Sequence, residues 1–305
     1  MRDEDEISDL IVRFDAVTLQ RLPVRKHDVL TAFTAAGNER AARIVSAMPE
    51  RDGVLVPEAV DRLLVRVHCE MQRISEEFQH GHRVAELLRP LLEALRVQGV
   101  ERPLRVVDVG CGTGFVVRWL AARGGLGADV ELIGADYNRA LVDEAARLAA
   151  SEGLAAQFVN ANVFTLTEPA TVFLTTGVIH HFRGPDLVEF FRQHEQPRAA
   201  AFLHFDFQPS VLAPFGSWLF HAVRMREPLA RHDGVLSAVR AHTAATLLEA
   251  ARRGSPGYST AMYSTRLGFL PIPRSFHTLV GVRPGLRAAF MEKLGQRADR
   301  MGPFA

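Results

Sequence analysis

Residues 104–115 constrain this chain more than any other segment. Leu104-Arg105-Val106-Val107-Asp108-Val109 is a run of β-formers with one carboxylate inside it, the pattern of a strand buried on both faces. It runs into Gly110-Cys111-Gly112-Thr113-Gly114, and residues 113–123 then read as a helix ended by Gly124-Gly125. Glycines at alternate positions let the backbone turn sharply and let a ligand approach with no Cβ in the way. The open amides at the helix start favour a polar or anionic ligand group. In a doubly wound sheet such a loop lies at the carboxyl ends of the strands, where these folds bind ligands. Nicotinamide-binding folds use the longer spacing Gly-x-Gly-x-x-Gly, and here the third glycine comes one residue earlier. The second strand, residues 131–135, leads into Asp136, 22 residues after Gly114. A carboxylate there can accept hydrogen bonds from both hydroxyls of a ribose.

The chain changes character near residue 100. Before it, nearly everything is helical. Val60, Leu63, Leu64, Val67, Met71, Ile74 and Phe78 recur at spacings of three and four, one stripe of a long helix that Gly81 is expected to break. A second helix, residues 82–97, carries Pro90, and shorter helical patterns fill residues 7–22 and 27–48. After residue 100, strands at 104–109, 131–135, 156–159, 171–175 and 201–207 alternate with helices, including one at 186–194. Asn138 is placed to cap another, with Leu141, Ala145, Leu148 and Ala149 inward and Gly153 at its end. That alternation predicts a parallel sheet covered on both faces. Thr243 opens a last helix through Arg252, stopped by Gly254. Residues 258–264 and 276–282 then form two strands joined through Pro271 and Pro273, with no helix between, so they must pair antiparallel. The predicted fold is α/β: a doubly wound seven-stranded sheet, mostly parallel, with an antiparallel C-terminal hairpin. Residues 1–100 form an N-terminal helical cap over the substrate, and residues 101–305 the ligand-binding domain.

Here the motifs resemble the class I S-adenosylmethionine-dependent methyltransferases, over roughly residues 100–283. Asp108 to Gly114 looks like that family's first motif, and Gly134-Ala135-Asp136-Tyr137-Asn138 like its second-strand motif. Asn160-Ala161-Asn162-Val163-Phe164 stands where the family contacts adenine. Thr175-Thr176-Gly177-Val178-Ile179-His180-His181-Phe182 resembles the end of its fourth strand. The resemblance implies S-adenosylmethionine as cofactor. Gly110, Gly112 and Gly114 would then face the methionine part, Asp108 would help hold its ammonium, and Gly177 would also bind the cofactor. Asp136 would bind the ribose, Tyr137 would pack near the adenine, and Asn162 and Val163 would meet the adenine edge. The family usually carries aspartate where Asn162 stands; asparagine still accepts a hydrogen bond but lacks the charge.

His180 and His181 follow the fourth strand, where the methyl group would be presented. Histidine titrates near neutrality, so these are the candidate catalytic residues, as a base for a hydroxyl acceptor, with His180 first. The segment from His232 to His242 is dense in hydrogen-bonding groups; it is either a substrate-contacting element or a surface helix capped by Asp233. Phe78-Gln79-His80-Gly81-His82 either closes over the cofactor or simply breaks a helix. Cys111 has no base beside it and reads as a small filler. The fourth strand lacks the Asn-Pro-Pro-Tyr-like element of amino-methylating nucleic-acid enzymes, so the expected partner is a small-molecule methyl acceptor, at oxygen. RNA or protein acceptors, a nicotinamide oxidoreductase and a non-catalytic binding protein are the other readings. Composition agrees: the 305 residues carry 36 basic and 35 acidic side chains, net +1, which gives a nucleic-acid partner no support. Cys69 and Cys111 fit no zinc spacing, no cluster of carboxylates suggests another metal, and no apolar run reaches membrane-spanning length. The acidic start, Met1 to Glu6, is unlike a secretory signal, so the expected location is cytoplasmic. Oligomeric state leaves no mark on the sequence.

Overall fold

The computed structural model describes residues 4–166, 169–195, 199–264 and 276–305. The chain opens with α1 (Ile7–Ile11), α2 (Lys26–Ala35) and α3 (Glu39–Ser46), a two-strand hairpin of β1 (Glu50–Arg51) and β2 (Val54–Leu55), and α4 (Pro57–Glu77). Then come α5 (His80–Val97), β3 (Leu104–Val109), α6 (Phe115–Arg123), β4 (Val130–Asp136), α7 (Arg139–Ser151), β5 (Gln157–Asn160), β6 (Val172–Thr176), α8 (Gly184–Arg192) and β7 (Ala201–Phe207). The chain closes with α9 (Ala213–Arg224), α10 (Pro228–Arg240), α11 (Ala244–Gly254), β8 (Ser259–Ser264), β9 (Phe276–Val282) and α12 (Arg287–Leu294). The link expected through Pro271 and Pro273 lies outside the described residues.

β3 to β9 make one seven-stranded sheet in the order β5-β4-β3-β6-β7-β9-β8. The first five strands run parallel, and β9 inserts antiparallel between β7 and β8. Leu88, Leu91, Leu92 and Leu95 of α5 are fully buried and share one core with α6, α12 and the sheet. Phe190 and Phe191 of α8, with Leu247 and Ala251 of α11, build a second core that also takes in sheet residues. α5, on the cap side of residue 100, thus belongs to the sheet's own layers. A third core joins α1 to α4 with Met225, Leu229 and Ala230 of the α9–α10 region. Burying Leu side chains of this kind stabilises by about 1.5–3 kcal/mol each.

Three local expectations are corrected. Residues 7–22 are not one helix: α1 stops at Ile11, and Phe14 and Arg21 pair across a turn. Asp15 Oδ1 makes that turn by accepting from the amides of Val17 and Thr18. The break after α4 falls at Gln79, which takes the left-handed conformation with φ 54°, and Gly81 lies inside α5. Gly81 is glycine because a Cβ there would collide with the Trp119 ring. The 27–48 pattern divides into α2 and α3 at Asn38, whose side chain accepts from the Ala41 amide.

Candidate active site

A cavity of about 560 Å³ opens where β3 to β7 end at their carboxyl sides. Its sheet-side wall is the glycine loop with residues 136–138, 161–164 and 176–178. Its cover comes from α1, the turn after it, α4 and α10, through residues such as Glu6, Phe14, Leu64, His68 and Asp233. Among the described residues no lysine or arginine lines it.

The glycine loop is built for close approach. Gly110, Gly112 and Gly114 all have positive φ, at 71°, 56° and 72°. A Cβ on Gly110 would collide with Val178, and one on Gly112 with His68 Nδ1. Gly114 plays a different part from the one the motif implies. It is absent from the cavity wall and begins α6, where a Cβ would strike Phe158 beneath it. Cys111 is half-buried beneath the loop, and its desolvation holds the thiol well above the usual range, as a filler requires.

Asp136 Oδ2 accepts the Gly112 amide at 3.0 Å and Oδ1 the Asn138 amide at 2.9 Å. The carboxylate therefore ties the first strand's loop to the second strand's helix. Asp108 is 3% exposed, and its Oδ1 has no hydrogen-bond partner among the described residues. Burial, helped by the charge of Asp136, pushes its carboxyl up to about 8. A buried carboxyl without a partner costs free energy until a donor reaches it. An ammonium is such a donor, so Asp108, the glycine cradle and Asp136 fit the amino-acid and ribose ends of S-adenosylmethionine.

His180 and His181 stand on a short 3₁₀ turn after β6. His180 is 2% exposed. Asp206, near the end of β7, takes the His180 backbone amide on Oδ2 and the ring Nδ1 on Oδ1, both at 2.9 Å. Burial alone would raise the Asp206 carboxyl, but the charge and hydrogen bond of His180 outweigh it and hold it low. An ionised Asp206 can only accept, so Nδ1 of His180 carries the proton and Nε2 is the ring's basic atom. Glu6 Oε1 lies 4.0 Å from Nε2, and burial raises the Glu6 carboxyl above its ordinary range.

His181 is engaged differently. Its Nδ1 lies 3.2 Å from Asp9 Oδ1 and 3.9 Å from Glu6 Oε2. Burial would lower its pKa, yet Glu6 and Asp9 outweigh that and raise it to about 9. Asp9 is opposed by burial too, but His181 and Arg240 hold its carboxyl well below the ordinary range. Arg240 reaches Asp9 Oδ2 at 2.6 Å, and Ser237 donates to Glu6 Oε1 at 2.9 Å. Asp233 caps α1 by accepting the amides of Ile7 and Ser8, both at 2.9 Å. Residues 232–240 thus lie in α10, with Ala241 and His242 just beyond its end, and Asp233 caps α1 rather than its own helix. Glu6, His180 and His181 each bring one ligand atom within 4.8 Å of the others, a set that a divalent cation could also use.

The remaining sequence candidates line the same cavity. Gly177, Val163 and Tyr137 are on its wall, with Phe14 edge-on to Tyr137 at 5.2 Å between centroids. Asn162 is also there, but its Oδ1 accepts the Phe164 amide and its Nδ2 donates to Ala16 O. Its side chain holds the turn after α1 in place. Sequence reasoning missed Glu6, Asp9, His68 and Asp206. The acidic run at residues 3–6 was weighed only against a secretory signal, and His68 fell within a stripe read as packing.

Residues 106–196 match the family model of a methyltransferase domain. No match was found among curated protein sequences. Among solved structures, the plantazolicin methyltransferase BpumL in complex with S-adenosylhomocysteine is similar at 12% identity, over 73% of this chain and 95% of that one, with a TM-score of 0.50. Magnesium protoporphyrin IX methyltransferase from Synechocystis PCC 6803 is similar at 19% identity, over 85% and 99%, TM-score 0.44. A TehB-like methyltransferase from Corynebacterium glutamicum is similar at 14% identity, over 70% and 99%, TM-score 0.41. At such identities the likeness speaks to the fold.

Proposed function

Because the chain is a class I S-adenosylmethionine-dependent methyltransferase, we propose that it methylates a small molecule at an oxygen atom, with His180 as the base. The observation that carries this reading is His180 on the cavity wall with its Nδ1 held 2.9 Å from Asp206 Oδ1, an arrangement that leaves Nε2 as the ring's acceptor. When bound, the cofactor supplies an electrophilic methyl on a sulfonium that leaves as a neutral thioether. The chain's own work is to orient, to exclude water and to move one proton. Asp108 would hold the cofactor ammonium, Asp136 the ribose, and Tyr137 and Val163 the adenine side. His180 Nε2 would take the hydroxyl proton as the carbon–oxygen bond forms. His181, already charged between Asp9 and Glu6, cannot take that proton; it fastens α1 over the site.

A small acceptor is supported by the cover that residues 6–19 and α4 make, and by the absence of lysine and arginine among the described residues of the lining, which leaves no cationic track for a polyanion. The cover is residues 4–77 in this reading, with α5 in the catalytic domain. No described helix is long and apolar enough to cross a membrane, and we take the cytoplasm as the site of action.

The test is His180→Ala. Turnover should fall by about 10²–10⁴-fold while cofactor affinity by calorimetry stays within about twofold. A variant within a few-fold of wild type would leave orientation as the only catalyst and remove His180 from the reaction.

A further inference from the structure

One buried side chain on the cavity wall takes no part in the scheme above. His80 opens α5 and is 7% exposed, and neither of its ring nitrogens has a hydrogen-bond partner among the described residues. It faces the same cavity as His180. A buried imidazole with both nitrogens unmatched is costly unless a ligand completes it. Burial, with the charge of Arg83 added, lowers its pKa to about 3, so it stands neutral, with one donor and one acceptor.

The rings between the two histidines are continuous. His80 meets Phe276 edge-on at 4.7 Å between centroids. Phe276 lies 4.9 Å from Phe207 at an interplanar angle of 34°, and Phe207 lies 5.7 Å from the His180 ring. All four line the cavity. An aromatic wall therefore runs from the candidate base to an unmatched hydrogen-bonding group. Such a wall favours a flat ring held by offset or edge contacts.

Resting on the reading of His180 as base, we propose that this wall is the acceptor subsite for a phenol-type compound, with its hydroxyl at His180 and a second polar group, such as a ring carbonyl, at His80. In the transfer, a lone pair of the phenolic oxygen forms the bond to the methyl carbon. The methyl carbon–sulfur bond breaks with its electron pair left on sulfur, and the hydroxyl proton passes to His180 Nε2.

The probes are 3- and 4-hydroxyacetophenone, phenol and cyclohexanol, titrated into full-length protein saturated with S-adenosylhomocysteine and followed by ligand-observed NMR. Phenol should bind and cyclohexanol should not. One of the two hydroxyacetophenones should bind about five- to tenfold tighter than phenol, as one added neutral hydrogen bond allows. His80→Phe should erase that preference without changing S-adenosylhomocysteine affinity, and His80→Gln, which keeps a donor and an acceptor, should restore part of it. Phe207→Leu should weaken every aromatic probe. Equal affinity of His80→Phe and wild type for the hydroxyacetophenones, or equal binding of cyclohexanol and phenol, overturns the subsite. If His80→Phe does not fold, His80→Leu takes its place: loss of the preference supports the subsite, and its retention overturns it. Failure of the base reading looks different: His180→Ala would methylate the preferred probe as fast as wild type while the binding pattern stood unchanged.

Discussion

Asp206→Asn tests the proton logic without requiring the natural acceptor. Asp206 Oδ1 serves two donors, the Phe207 amide at 2.7 Å and His180 Nδ1 at 2.9 Å, while Oδ2 serves the His180 amide at 2.9 Å. Asparagine keeps the shape but has a single oxygen. If that oxygen stays on the His180 amide, the NH₂ group faces Nδ1, which must become the acceptor, and Nε2 then carries the proton. If the oxygen turns the other way, the buried His180 amide loses its partner. Either orientation leaves one backbone N–H unmatched, the part-buried Phe207 amide or the buried His180 amide, and for the latter the cost is about 1–3 kcal/mol of stability. The first also blocks Nε2 as a base, which should slow turnover by about 10²–10⁴-fold, or roughly 2.7–5.5 kcal/mol of barrier. The assay is long-range ¹⁵N–¹H correlation of the imidazole in selectively labelled protein, read beside single-turnover methyl transfer. Wild-type neutral His180 should show the Nδ1-protonated form and the variant the Nε2-protonated form. A variant that takes the Nε2-protonated form yet turns over within a few-fold of wild type, or that keeps the Nδ1 proton yet loses turnover to the same degree, refutes the reasoning.

Other outcomes follow from the same geometry. Asp108, raised to about 8, is protonated at pH 7 and should ionise against the cofactor ammonium, so calorimetry in buffers of different ionisation heat should show release of up to about one proton, absent in Asp108→Asn. His181, raised from 6.5 to about 9, binds a proton in the folded state that the unfolded chain lacks, so its contribution is whole below about pH 6.5 and lost as pH rises through about 9. The melting temperature should therefore fall between pH 6.5 and 9.5, and fall less in His181→Asn; equal falls would free α1 from this pairing. Dialysis against EDTA should leave turnover unchanged, since the protonated His181 already supplies the cation between Glu6 and Asp9; loss restored by a divalent ion would make Glu6, His180 and His181 a metal site.

The sheet was legible because its strands are buried runs of β-formers. Residues 104–109, 201–207 and 276–282 were read with the bounds that β3, β7 and β9 have, and the hairpin's antiparallel sense followed from the missing helix. The ligand end of the cavity was legible because glycines and a strand-end carboxylate carry their own reason. Partnerships made at long range were not. Asp206 sits in a strand where nothing local marks it as the partner of His180, 26 residues away. The break at Gln79 was misread because Gly81 is the stronger breaker by composition, while its lack of a Cβ answers to Trp119. The turn after α1 had a signal, Asp15 followed by Thr18, that helical spacing of the apolar residues hid.

The fastening of α1 to α10 also sets an order of assembly. Asp233 caps Ile7 across 226 residues, and Arg240 meets Asp9 across 231. Translation at 5–20 residues per second separates the emergence of those partners by on the order of 10–45 s. For that interval the carboxylates of Glu6 and Asp9 wait in water without the groups that later hold them. β3 to β7, whose pairings span far shorter stretches of chain, can form while residues 6–11 are still detached. The roof of the cavity is therefore laid down after its floor, although its residues are made first.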